Sequence, residues 1–224
     1  MNNQILLTII FLVAIACLLI FTELIYRRYE LKGEMTRKFA HFAATLSTTM
    51  FPFLFNSHWY VLILATIFFI VLFISKQIKQ LQSINDIDRK STGSYLLPVS
   101  IYLTFLISDL LDSKIMFILP MLVLAICDPM AGILGLNFKR RNRNIRIFGH
   151  TLHKTVLGSG SFFVSCFIIC ILALYFNNMD FNFKTFWLSA CIASVSTLVE
   201  MFSWRGTDNL LIPLSVLFML VIFL

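Results

Sequence analysis

Several clusters of residues in this chain have the types and spacing needed to handle phosphate. Arg37, Lys38 and His41 lie close together, and Arg37 and His41 are one helical turn apart on a shared face. Asp88-Arg89-Lys90-Ser91-Thr92-Gly93-Ser94 forms a second polar cluster. Asp128 is followed by Pro129 and then, at one and two turns, by Gly132 and Gly135. Lys154-Thr155 runs into Gly158-Ser159-Gly160, and Glu200 precedes Asp208-Asn209. Carboxylates ligate hard cations, ammonium and guanidinium groups neutralise phosphate oxygens, and helix starts present backbone N–H groups to anions. Together these residues suit a phosphorylated, metal-bound ligand.

The acids matter because they sit in or beside apolar runs. An ionisable group inside a membrane costs at least about 2.5 to 3.5 kcal/mol, so each needs a partner or a function. Glu23 has Arg27 one turn later, an i,i+4 pair that accounts for it structurally. Asp128 has no such local partner. Pro129 lacks an N–H and disfavours helical geometry at the residue before it, which predicts a kink or break at Asp128. Gly132 and Gly135 leave a face without side chains, where a second helix or a ligand can approach the backbone. The structural alternative for Asp128 is a small-residue helix contact with a snorkelling acid. Glu200 shares a helical stripe with Ser189, Ala193, Ser196 and Ser203, which is predicted to face the bundle rather than lipid. Asp208 or Asn209 also fits as the N-cap of a final helix.

The elements that must position these groups are apolar helices. Of 224 residues, 59% are hydrophobic and 13% charged, about half the roughly 25% charge content of a soluble domain. Eight runs approach the roughly 20 residues that cross a hydrocarbon core of about 30 Å. They cover 5–25, 39–55, 58–75, 95–111, 115–136, 156–176, 184–203 and 209–224. No Pro/Gly/Ser-rich linker interrupts them, so residues 1–224 read as a single domain: an all-α polytopic integral membrane bundle of about seven to eight transmembrane helices. Runs 39–55, 95–111 and 209–224 are short, and tilt or partial insertion is expected there. With the N-terminus outside, the inner connections hold 16 Lys and Arg and the outer ones 2, as the positive-inside rule requires. Every cluster named above then falls on the cytoplasmic face, as expected of an integral protein of the cell (inner) membrane.

This topology also explains the net charge of +7 and leaves no need for a nucleic-acid partner. The first run is too long for a signal peptide, and no basic residue precedes Arg27. Cys17, Cys127, Cys166, Cys170 and Cys191 all lie inside apolar runs, without a C-x-x-C pair, and read as packing residues rather than as a disulfide or zinc framework. Neither a G-x-x-x-x-G-K-[ST] loop nor the protein-kinase signatures occur. A transporter reading would call for two related halves with matching broken helices, and only one predicted break is evident.

Arg37-Lys38 with His41, Asp88-Arg89-Lys90-Ser91 with Gly93 and Pro98, Asp128 with Ala131 and Gly135, Lys154-Thr155 with Gly158-Ser159, and Glu200 with Asp208-Asn209 and Pro213 resemble the polyprenol kinase family. That family includes dolichol, phytol and farnesol kinases and a CTP-using diacylglycerol kinase. The order and rough spacing match from about residue 37 to 213. The resemblance implies transfer of a terminal phosphate, typically from CTP, to the hydroxyl of a lipid alcohol in the membrane. It implies Mg²⁺ on Asp128 with Asp208 or Glu200. Phosphate contacts would come from Lys154, Arg37, Lys38, Arg89, Lys90, Ser91, Gly93, Gly132, Gly135, Thr155, Gly158, Ser159 and Asn209. His41 or a carboxylate would take the alcohol proton. Leu157 stands where the family usually has Glu. The competing enzyme is a phosphatidate cytidylyltransferase, whose Lys-Asp and His-Gly-Gly-x-Asp-Arg ending is replaced here by Arg205-Gly206-Thr207-Asp208-Asn209.

Overall fold

The computed structural model describes residues 2–29, 33–78, 80–85, 91–137, 144–147 and 150–224. Its elements run α1 (Asn2–Tyr29), α2 (Gly33–Thr48), α3 (Phe51–Leu54), α4 (His58–Gln77), α5 (Gln82–Asn85), α6 (Gly93–Leu110) and α7 (Ile115–Asn137). A hairpin of β1 (Asn144–Ile147) and β2 (His150–Thr155) follows, then α8 (Val156–Asn178), α9 (Phe183–Phe202) and α10 (Asp208–Phe223).

The molecule is an all-α polytopic membrane bundle. Among the described residues six helices, α1, α4, α6, α7, α8 and α9, are long and apolar enough to cross a bilayer, and α10 is apolar but shorter. The run at 39–55 is divided rather than continuous. Helix α2 ends at Thr48, a turn covers Thr49 and Met50, and Pro52 opens α3, where its missing N–H costs nothing. The Thr48 and Thr49 hydroxyls donate to the carbonyls of Thr45 and Leu46 at this end, each at 2.7 Å. Side-chain caps start three of the longer helices: Ser57 for α4, Thr155 for α8 and Asn182 for α9.

Two sequence expectations need correction. Of the kink or break predicted at Asp128, the break is absent: α7 runs unbroken from Ile115 to Asn137 with Pro120 and Pro129 inside it. Proline is tolerated in a membrane helix when neighbouring helices serve the backbone groups it frees, and α7 packs against α2, α6, α8 and α10. The second correction is the small antiparallel hairpin, in which Arg146 pairs with Thr151 and Ile147 with His150. A hydropathy reading passes over such a polar segment as a loop.

Helix α7 is the most deeply buried of the six. Leu119, Val123, Leu124 and Cys127 pack with Phe162 and Cys166 of α8, Ile192 of α9, and Ile212 and Val216 of α10. All five cysteines are free thiols. A second cluster centres on Phe51, whose ring meets those of Phe11 and Phe55 edge-on at 5.1 Å and stacks on Phe117 at 6.2 Å. The stripe of Ser189, Ala193, Ser196, Glu200 and Ser203 is buried throughout, as its spacing predicts. The Glu23–Arg27 pair forms as well, at 2.9 Å, and the other Glu23 oxygen accepts from the Ser83 N–H at 2.9 Å, tying α1 to α5.

Candidate active site

Strand β2 delivers Lys154 two residues before α8 begins. Its ammonium lies 2.6 Å from Glu200 Oε1 and 3.3 Å from Asp208 Oδ2. Glu200, in the last turn of α9, is 2% exposed, and its second oxygen accepts from the Ser159 hydroxyl at 2.9 Å. Burial disfavours the charge on Lys154, but the carboxylates of Asp208, Glu200 and Asp128 more than offset it and hold the ammonium above its ordinary pKa. One cation on β2 thus meets acids from both α9 and α10.

Helix α2 supplies the other half. The Lys38 ammonium occupies the bare side of α7 at Gly132, where a Cβ would fall 1.3 Å from Nζ. Asp128 acts electrostatically on Lys38, His41 and Lys154, and Asp208 acts on His41 as well, so the two acids join the halves. His41 Nε2 is buried without a hydrogen-bond partner, and the ring lies near the Leu124 backbone of α7. Arg37 pairs with Glu34 through Nη2 at 2.8 Å, while its Nε is buried and unpartnered. A buried polar atom left unsatisfied costs about 1 to 3 kcal/mol, which makes both nitrogens candidate ligand contacts.

Arg37 and His41, with Ser94 and Asn209, form the polar end of a cavity of about 90 Å³. The rest of its wall is mainly apolar, with Leu19, Ala44, Leu64, Phe68 and Phe51 among the lining residues. A polar end on an apolar body is the shape of a site for an amphiphile.

A third group of residues fixes the frame. The Thr92 N–H donates to the Arg205 carbonyl at 2.7 Å, and the Asn209 amide donates to the Gly93 carbonyl at 2.8 Å. Gly206 has φ +91°, and a Cβ there would lie 2.4 Å from the Gly93 nitrogen; only glycine meets both demands. Ser91 is buried, accepts from the Gly93 N–H at 3.3 Å, and its carbonyl receives the Lys76 ammonium. Ser91, Gly93 and Asn209 therefore join α6 to α10. The N-cap of α10 is Thr207, and Asp208 is its first helical residue.

Gly135 and Gly158 allow α7 and α8 to cross closely: a Cβ on Gly158 would lie 3.0 Å from the Ala131 carbonyl, and one on Gly135 2.9 Å from Thr155 Oγ1. Gly158, Ser159 and Gly160 lie within the opening turns of α8 rather than in a turn of their own. Gly158 donates its N–H to the Thr155 hydroxyl at 3.2 Å, and Ser159 and Gly160 continue α8. Arg89 and Lys90 lie outside the described residues.

Among the described residues no three His, Cys, Asp or Glu side chains come together as a metal cage. Mg²⁺ needs only one or two carboxylates when phosphates and waters complete its shell. Asp128 and Asp208 supply that number of carboxylates, though Asp208, like Glu200, has both oxygens engaged: Asp208 by Lys154 and the Asn209 N–H, Glu200 by Lys154 and Ser159.

A family model described as the cytidylyltransferase family matches residues 3–204. The chain belongs to the cytidylyltransferase family. It is accordingly a membrane transferase of the CTP-using, lipid-related kind. No curated protein and no solved structure matches it. In this cytidylyltransferase-family chain the matched stretch contains Arg37, Lys38, His41, Asp128, Lys154 and Glu200, and ends before Asp208 and Asn209. Three contributions were not apparent from sequence. Ser159 serves Glu200 rather than phosphate, Gly132 receives Lys38, and Gly206 locks onto Gly93. Only Gly206 carried a local signal, a glycine in the polar turn before the last helix.

Proposed function

We propose that this protein is a lipid-alcohol kinase that moves the terminal phosphate of CTP to the hydroxyl of an alcohol held in the membrane, at the cytoplasmic face. The observation that carries the reading is His41 Nε2, a buried nitrogen without a partner at the polar end of an apolar cavity. A neutral imidazole with an open ring nitrogen can act as a general base, and an alcohol needs one. The alcohol gives its proton to His41 and its oxygen attacks the terminal phosphorus. The bond from that phosphorus to the bridging oxygen breaks, and CDP leaves. Lys38 over Gly132 and Lys154 between its acids neutralise the phosphate oxygens, and Asp128 and Asp208 keep His41 polarised. Mg²⁺ brought with the nucleotide would be held by Asp128 and Asp208 and would neutralise further phosphate charge.

The second reading is a phosphatidate cytidylyltransferase. The family includes CDP-diacylglycerol synthase as well as polyprenol-kinase-like enzymes, and the unpartnered Nε of Arg37 suits a lipid phosphate as acceptor. Labelled CTP separates the two. Purified protein is given Mg²⁺ with CTP labelled at either the alpha or the gamma phosphate, together with prenols, diacylglycerol and phosphatidate. A kinase places gamma label in lipid and releases CDP; alpha label in lipid with pyrophosphate release overturns the proposal in favour of the second reading.

A further inference from the structure

We infer that the cavity beneath His41 is a ruler, closed by Phe51, that admits an alcohol whose tail is about as long as one membrane leaflet is thick and rejects a long polyprenol. The inference rests on the lipid-alcohol reading for its head group alone; the tail argument is independent of the reaction.

The polar and blind ends of the cavity are fixed by its lining. Leu72 of α4 packs with Ile84 of α5, and α5 is bonded to α2 beside Arg37, where Thr36 donates to the Ser83 carbonyl at 2.7 Å. Leu72 therefore marks the level of the head group. Val61, on the same helix, packs with Phe51 and is wholly buried, so it marks the other end. Leu72 and Val61 are eleven residues apart on one continuous helix, which at 1.5 Å per residue is about 16 Å. Half of a hydrocarbon core of about 30 Å is about 15 Å. The match makes an alcohol of single-leaflet length, an alkyl or short isoprenoid chain, the ligand that fills the space.

Phe51 makes the far end a wall. It is 2% exposed, and the rings of Phe11, Phe55 and Phe117 hold it from three sides. A tail that reaches Phe51 can extend only by displacing this aromatic cluster. Midway, Ala65 contributes the smallest side chain that α4 presents to the cavity, so bulk introduced there shortens the space without touching its polar end.

The test is thermal stabilisation of the purified full-length protein by straight-chain alcohols and prenols of increasing length, at matched free concentrations. Each methylene that still finds the cavity should tighten binding about four-fold, and the gain should stop at the wall. Phe51→Leu should move the longest productive tail upward and Ala65→Phe should move it downward, so that neither result can be attributed to general loosening. Identical length dependence in all three proteins, or a gain that never stops in the wild type, overturns the inference. A cut-off that moves as expected while no alcohol accepts gamma phosphate supports the ruler and overturns the kinase reading.

Discussion

Replacing Glu200 by Gln tests whether the Lys154 ion pair organises the site. Glu200 serves Lys154 at 2.6 Å and Ser159 at 2.9 Å. Gln keeps a carbonyl oxygen for the ammonium, and the Ser159 hydroxyl can rotate to accept from the amide, so the geometry survives and only the charge is removed. Hydrogen bonds to charged groups contribute about 1.5 to 3 kcal/mol and neutral ones about 0.5 to 1.5. Two bonds each weakened by about 1 kcal/mol give a loss of about 2 kcal/mol. The figure falls short of the roughly 3 to 5 kcal/mol for stripping a buried charge of its partner, because Asp208 remains 3.3 Å from the ammonium. Side-chain exposures of 3% and 19% leave little solvent screening. Denaturant unfolding in detergent micelles should show this loss, and adding Ser159→Ala to Glu200→Gln should cost less than Ser159→Ala alone. Unchanged stability of Glu200→Gln together with strict additivity would refute the reasoning.

Gly132→Ala supplies a helix-favouring residue but places a methyl where the Lys38 ammonium sits. Stability should change by less than about 1 kcal/mol, because only the end of a flexible chain must move, while lipid labelling falls at least about ten-fold. Full activity would show that Lys38 has no part in the reaction. Lys154 has a folded-state pKa above its unfolded value, so its contribution is fully present below the unfolded pKa of about 10.4 and is lost only as pH rises through the folded one. The stability difference between wild type and Lys154→Met should therefore stay constant from neutral pH to about pH 10; a difference that decays near pH 8 would contradict the pairing.

Chain periodicity revealed the helices because each apolar run had to become one in lipid. It also revealed the stripe through Glu200, since small and polar residues at helical spacing have one place to go. Asp128 stood out because an acid is costly inside an apolar run, and Arg37 and His41 because they share a helical face one turn apart. Pairings between distant elements were hidden. Lys154 and Glu200 are 46 residues apart, and nothing local says which acid a lysine will meet. The bare face at Gly132 was legible, but its occupant was not, because Lys38 arrives from another helix. Pro129 misled because local geometry favoured a break, while tertiary neighbours kept the helix whole.

The ties between α6 and the turn before α10 join residues far apart in the chain: Thr92 reaches Arg205 across 113 positions and Asn209 reaches Gly93 across 116. As the chain is synthesised, α6 is made long before its partners exist. Lys154 and His41 likewise wait for Asp208. The cluster of Lys154, Glu200 and Asp208 is therefore incomplete in every nascent chain that lacks the turn carrying Gly206. A catalyst that handles a reactive nucleotide thus gains activity only once the rest of its bundle has been threaded into the membrane.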